Sequence, residues 1–309
     1  FLLSVIVQQV TGEPLHEYLR PRLFEPLGIG PIDWTSAGPY DQGFSGLHTE
    51  VDAVARLGLL LLGRGTFAGH EVLPASWFEQ AMSVHIANGD DPASDWAQGY
   101  GYQMWRSKHG WRGDGAYGQL CLVLREHDLV LAATAQTEDM QRELDLVWEH
   151  LLPGLHDGPL PETEDLTAFL AARTLPTLAS SVPATPGRHA LAATGPAAEV
   201  APRGTVVVRD GTLVIEDGEG AVLVPLGDGA WVRGETVQPD GSSVAVAGTA
   251  GWVAPGVLDA VVVPLHSPHT LQVHADLVAG TAELAWTTTP LGFLSTRGSA
   301  GAVGRTSDS

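Results

Sequence analysis

The 309 residues carry 36 acidic against 16 basic side chains, a formal net charge of −20, with 44% apolar and 17% charged residues. That much negative charge repels phosphate backbones and anionic lipid, which excludes sequence-independent nucleic-acid binding and leaves neutral or cationic small molecules as candidate substrates. The single cysteine, Cys121, excludes an internal disulfide and a thiolate zinc cluster, and no apolar run reaches the roughly 18 residues of a membrane span.

In chain order, Phe1, Leu2, Val5, Ile6 and Val10 mark one apolar helical face that Thr11-Gly12 closes, and Pro14 stands where a first-turn proline is tolerated. Nothing ahead of Phe1 caps this helix, so a preceding segment is expected. Residues 49–63 predict a second long helix, with Thr49 and Asp52 as a capping pair, Val51, Val54, Leu57, Leu60 and Leu61 on the apolar face, and Gly63 at its end. Another helix starts near Pro74 and runs past Trp77 and Phe78. Strands are expected at Gly99–Trp105, Gln119–Leu124 and Leu129–Ala135, the last two joined through a tight Glu126-His127-Asp128 turn. Asp139 then opens a helix through Leu144, Val147, Trp148 and Leu151, which Pro153 stops.

From Pro153 to about Pro186, prolines surround one short helical pattern, Leu166–Arg173, which reads as a connecting arm. Alternating runs follow at Thr205–Arg209, Thr212–Glu216, Ala221–Pro225, Val257–Val263, Thr270–Leu277 and Thr281–Trp286, with Asp210-Gly211 as the strongest hairpin turn. Short strands at this spacing predict a small barrel or sandwich. The small polar stretch Gly298–Ser309 reads as a disordered tail. The expected division is a mixed domain over 1–153, a linker over 154–186, a β domain over 187–297 and a tail over 298–309.

The opening stretch, FLLSVIVQQVTGEPLHEYLRPRLFEPLGI, resembles the segment that follows the Tyr-x-Asn motif in serine hydrolases of the beta-lactamase and penicillin-binding-protein superfamily. There an apolar helix ending in Val-Thr-Gly leads into a helix closing with Phe-Glu-Pro-Leu-Gly. The resemblance implies an α+β fold: the rear helices and terminal antiparallel strands of a beta-lactamase or transpeptidase-like domain, followed by an all-β domain of lipocalin-like barrel type. It also implies acyl transfer by the serine of a Ser-x-x-Lys turn, where the lysine helps to take the hydroxyl proton. These 309 residues contain no such turn. Lys108 is the only lysine and Trp105 stands three places before it; Asn88 is the only asparagine and is preceded by Ile86 at the position of a Tyr or Ser. A Gly-x-Ser-x-Gly elbow is approached at Gly43-Phe44-Ser45-Gly46-Leu47 and broken by Leu47. We therefore expect a C-terminal portion of a hydrolase acting on amides or esters, inactive by itself; the alternatives are a catalytically dead relative that binds a small hydrophobic ligand, in this remnant or in its β domain, and an acidic module for a basic protein partner. No cofactor is expected, and the compartment is read as cytoplasmic, although the missing start leaves a leader sequence undecided.

The surviving chemistry is expected in Trp111-Arg112-Gly113-Asp114-Gly115-Ala116-Tyr117-Gly118-Gln119. By spacing, Gly113–Gly118 is a glycine-rich turn between strands. By resemblance, Gly113-Asp114-Gly115 falls on the family's Lys-Thr-Gly or His-x-Gly triplet, and glycine replaces its basic residue. That loss removes the charge that would hold a substrate carboxylate and favours neutral esters or amides. Ala116 would then donate one backbone N–H to the oxyanion, with Tyr117 and Gln119 bordering substrate. Asp114 would either orient a neighbouring basic group or bind a cationic substrate end. Two further matches are the Gly43–Thr49 loop, whose Ser45 and His48 either face the cleft or merely cap a helix, and the Gly99–Trp105 segment, whose Trp105 either flanks the pocket or fills a core. Arg106, Lys108, His109 and Arg112 form a basic island, read as a solvated strand end or an anion attractor. His274 falls on the polar face of a strand apart from any His-Glu-x-x-His pattern, so no metal site is expected from His266, His269 and His274, and Cys121 reads as a small buried hydrophobe.

Overall fold

A computed structural model of the chain describes residues 1–155, 158, 166–199, 205–217, 220–237 and 243–290. The expected tail over 298–309 lies outside them. The chain divides into two compact units, Phe1–Asp157 and Gly158–Ser309.

In the first unit, α1 (Leu2–Thr11) ends at Gly12, whose φ of 78° is the left-handed conformation a helix-ending glycine supplies. A short α2 (Leu15–Leu19) continues as a π-helical turn, Arg20–Phe24. Small two-residue ladders follow: β1 (Asp33–Trp34), β2 (Ser36–Ala37), β3 (Tyr40–Asp41) and β4 (Leu47–His48), with β1 paired to β4 and β2 to β3. Next come α3 (Val51–Leu62), β5 (Thr66–Phe67) paired to β6 (His70–Glu71), and α4 (Ala75–Ala81). The expected capping pair is not formed. Glu50 occupies the N-cap of α3 and no side chain caps it, while Ala53, Gly58, Leu60 and Leu61 are buried and Val51 and Leu57 are exposed. The helix is rotated from the expected face because it rests on the sheet at Gly58, where a Cβ would stand 2.4 Å from Val130 Cγ1.

The central sheet has strand order β10-β9-β8-β7 and is antiparallel throughout, with β7 at Trp105–Arg106, β8 at Trp111–Gly115, β9 at Gln119–Leu124 and β10 at Leu129–Ala133. Of the expected Gly99–Trp105 strand only its end is laddered; Tyr100 makes isolated bridges to Ile86 and Trp105, and Gln103, at φ 61°, turns the chain between them. Strand alternation places Gly113, Cys121 and Val123 on one face, where Cys121 Sγ donates to Val54 O at 3.5 Å and Val123 packs with Leu61 and Phe78. Arg112, Asp114, Leu120, Leu122 and Leu124 occupy the other face, where the leucines pack on Leu144 of α5 (Met140–Leu146) and on Val147 just after it. Asp139 caps α5 by accepting Arg142 N at 3.0 Å. The helix continues as a π-turn over Val147–Leu151 and ends at Pro153 in a 3-10 turn.

The second unit begins with α6 (Leu166–Ala171) and contains, among the described residues, one nine-stranded sheet. Its strands are β11 (His189–Thr194), β12 (Thr205–Arg209), β13 (Thr212–Asp217), β14 (Gly220–Pro225), β15 (Val232–Val237), β16 (Ser243–Ala254), β17 (Val257–Pro264), β18 (Leu271–Asp276) and β19 (Thr281–Trp286). The order is β14-β13-β12-β11-β19-β18-β17-β16-β15, with only β11–β19 parallel. The two edges nearly meet. Thr236 Oγ1 of β15 accepts from Leu223 N of β14 at 3.0 Å and donates to Leu223 O at 3.3 Å, so a side chain closes what the ladder leaves open. Inward Val206, Leu213, Val224, Val246, Leu271 and Leu284 form one buried core, each such side chain contributing about 1.5–3 kcal/mol by leaving water. No helix among the described residues is long and apolar enough to cross a membrane.

Candidate functional site

The hairpin of β8 and β9 carries six of the nine expected site residues, and β7 brings Trp105 beside it. Its turn is held in a conformation that ordinary residues avoid: Tyr117 has φ 68° and Gly118 φ 89°. A Cβ on Gly118 would lie 2.6 Å from Glu143 Oε2 and 2.9 Å from Ala135 Cβ, so only glycine lets the turn seat there. Thr137 N donates to Tyr117 O at 3.1 Å, and Gln119 Nε2 donates to Ala135 O at 2.9 Å. Gln119 is thereby a tie that fixes the turn, and Ala116 is exposed at its tip.

Arg112 organises the face toward α5. It is wholly buried, donates from Nε to Asp114 Oδ2 at 2.8 Å, and from Nη1 to Ser107 Oγ at 2.6 Å and Asp95 O at 3.1 Å. Its guanidinium stacks 4.5 Å over the Trp96 ring and 5.7 Å over Trp105. Burial raises the Asp114 carboxyl above the usual range, against the opposing pull of Arg112 and of a hydrogen bond from Trp105. The Asp114 charge in turn adds to burial in raising Glu143 and Tyr100. Between Trp96, Arg112, Asp114, Gln119, Met140 and Glu143 the space is too tight for a water molecule. Asp114 thus holds Arg112, a neighbouring basic group, by a short ion pair.

The basic island is neither a solvated strand end nor an anion attractor at Lys108 and Arg112. Arg112 is enclosed, and Lys108 Nζ lies 3.2 Å from Asp145 Oδ1 and 3.5 Å from Asp95 Oδ2. Asp95, fully buried, is pushed up by burial but pulled below the usual carboxylate range overall by Gln141, the Lys108 N–H, Trp148 and the Lys108 charge. Sequence reasoning missed this role for Arg112. The signal was available: Arg112 and Asp114, two apart on a strand, must share a face.

Trp105 packs edge-on against Tyr100, with ring centroids 4.7 Å apart, and is half-buried between it and Arg112. Ser45 and His48 belong to a different ladder from β7–β10, lying beside and on the β1–β4 pair, where Ser45 is exposed and its carbonyl accepts Trp34 Nε1 at 2.9 Å. Cys121 is buried and its thiol is pushed up to about 11 by burial. His274 Nδ1 lies 2.6 Å from Asp259 Oδ1 across β17 and β18, and His269 is buried against Thr288.

No curated protein matches the chain. Among solved structures, one from Bacillus anthracis named as a 6-aminohexanoate-dimer hydrolase is similar at 20% identity over 51% of this chain, with a TM-score of 0.43; the match spans 43% of that protein's own length. Residues 1–152 match the family model described as Beta-lactamase. The first unit, with its sheet between α3 and α5 and its glycine-bordered hairpin, thus belongs to the beta-lactamase-related serine hydrolases.

Proposed function

We propose that this chain forms one wall of a serine hydrolase that cleaves neutral amides or esters through an acyl-enzyme, and that the nucleophile of a Ser-x-x-Lys turn comes from residues outside these 309. The observation that carries this reading is Gly113. A Cβ on Gly234, Gly248 or Gly251, each inside a strand, would lie within 3.0 Å of a neighbour; a Cβ on Gly113 would meet nothing closer than Met104 Sδ at 4.0 Å, and no positive φ demands glycine there. The β7 ladder stops at Arg112, so Gly113–Gly115 is paired by β9 alone. The result is a strand edge with open space beside it, the arrangement by which a substrate backbone approaches donor N–H groups.

In this reading the Ala116 N–H supplies one oxyanion donor and the attacking serine's own N–H the other. Asp114 and Arg112 are positioning residues that stiffen β8, while Trp105, Tyr117, Gln119, Ser45 and His48 border the substrate. Two further surfaces favour an additional segment. Leu2, Leu3, Ile6 and Val10 of α1 are exposed, and β10 pairs on one side only, so an apolar helix face and an apolar strand edge both lack partners among the described residues. We further read the nine-stranded sheet as a lipocalin-like barrel domain, with a domain boundary within the proline-rich 154–186 arm.

The purified chain is expected not to turn over a p-nitrophenyl ester, and steady turnover by it would refute the reading. Mixing it with a polypeptide bearing the Ser-x-x-Lys and Tyr-x-Asn elements of a related hydrolase should generate turnover. Ala116→Pro, which deletes the N–H, should then lower kcat by about 10²–10³.

A further inference from the structure

The nearly closed sheet carries a cavity to which the hydrolase reading assigns nothing. It measures about 190 Å³ and lies between the Asp210-Gly211 turn of β12 and β13 and a strap that includes Ser180, Ala184 and Thr185. Its inner wall is Val208, Leu226, Trp252 and Leu258. An apolar hollow of roughly 150 Å³ accommodates a benzene ring, so this one is large enough for a single ring or a branched aliphatic group.

The cavity is preformed. Ser181 N donates to Trp252 O at 2.9 Å, Trp252 N to Ser180 Oγ at 3.0 Å, and Leu178 N to the fully buried Thr249 Oγ1 at 3.1 Å. The strap lies so close that a Cβ on Gly251 would stand 2.5 Å from Ala179 O.

Its rim is acidic. Asp228 Oδ1 accepts Ser180 N at 2.7 Å and Asp210 Oδ1 accepts Gly187 N at 3.3 Å; the second oxygen of each has no hydrogen-bond partner among the described residues. Arg209 also borders the cavity, but strand alternation sends its side chain with Val207 and Val214 toward an outer hollow shared with Arg188. Apolar walls beneath two half-used carboxylates select a molecule with an apolar body and a positive head. We infer that this cavity binds a small organic cation, a compact aromatic or branched aliphatic body bearing one ammonium group. The inference is independent of the hydrolase reading and stands if that reading fails.

The test uses the full chain with three probes of one shape: benzylamine, toluene and benzoate. Benzylamine should bind with a Kd near or below about 1 mM, as its few heavy atoms allow. Its amide shift changes should centre on Gly211, Gly227 and Trp252. Toluene should bind about fivefold or more weakly, and benzoate not at all. Asp210→Asn with Asp228→Asn keeps both Oδ1 acceptors and removes both charges, so it should weaken benzylamine about tenfold and leave toluene unchanged. Ala184→Phe fills the cavity from the exposed strap without touching a strand and should abolish binding of both. Equal affinity for benzylamine and toluene, preference for benzoate, no benzylamine binding, or shifts centred elsewhere would overturn the proposal.

Discussion

Removing the Asp114 carboxylate tests whether Arg112 is the organising group of the first unit. Arg112 is 0% exposed and the Asp114 side chain 10%, so solvent screening does little for either. The pair is joined at 2.8 Å, and the other hydrogen bonds of Arg112 go to neutral atoms: Ser107 Oγ and two carbonyls, Asp95 O and Arg106 O. Asp114→Ala therefore leaves a buried cation whose directly bonded counterion is gone. Breaking such a pair from one side costs about 3–5 kcal/mol, because the stranded charge keeps its desolvation penalty. Asp114→Asn keeps an acceptor for Trp105 and removes only the charge, so about 1.5–3 kcal/mol is expected. Arg112→Leu together with Asp114→Leu removes both charges and should be less damaging than either single change, with a coupling energy above about 1.5 kcal/mol. Hydrogen exchange at the Leu120–Leu124 amides in β9 reads the first unit separately from the second. An Asp114→Ala protein within about 0.5 kcal/mol of the parent, or a coupling below that value, would refute the argument.

Two other outcomes follow from buried titratable groups. Asp95 has a folded pKa below its unfolded value of about 3.9, so its contribution to stability is present above that pH and is lost as pH falls through the folded value; Asp95→Asn should flatten the acid limb of the stability profile, and an unchanged limb would count against it. Cys121, enclosed and with its thiol pushed up to about 11, should resist a thiol reagent in the native chain and react fully in denaturant, whereas rapid native labelling would contradict the assigned burial.

Elements with a strong period were legible in the sequence. Gln119–Leu124 and Thr205–Arg209 are strands over the expected bounds, and Asp139 opens its helix. Three of the strands that escaped notice are hidden by their composition. His189–Thr194 is half alanine, Val232–Val237 holds Gly234, and Ser243–Ala254 holds Gly248 and Gly251, all residues of low strand propensity. Their smallness answers a demand that no local pattern contains: Gly248 faces Pro225 O at 2.5 Å from a would-be Cβ, and Gly251 faces the strap. The Arg112 environment was hidden for a similar reason. Asp95 and Trp96 reach it from one loop and Ser107 from another, and sequence distance gives no hint that they converge.

That contrast among glycines yields a last prediction. Gly110 lies where a Cβ would stand 2.2 Å from Val123 O, at φ 76°, so Gly110→Ala must both clash and strain the backbone. Gly113 meets neither condition. Replacing it by alanine restricts the unfolded chain and improves strand propensity, which should stabilise the isolated protein by about 0.4–1 kcal/mol. A stabilising substitution open to the chain yet not present in it points to a use for the empty volume, and within the first unit nothing among the described residues fills it. If substrate does, Gly113→Ala should raise the denaturation midpoint of the chain and, in the complemented hydrolase, raise KM more than it lowers kcat, since the added methyl narrows the path of approach without touching the N–H donors. Loss of stability by Gly113→Ala would mean that the space is already required by the fold, and the open edge of β8 would then carry no functional meaning.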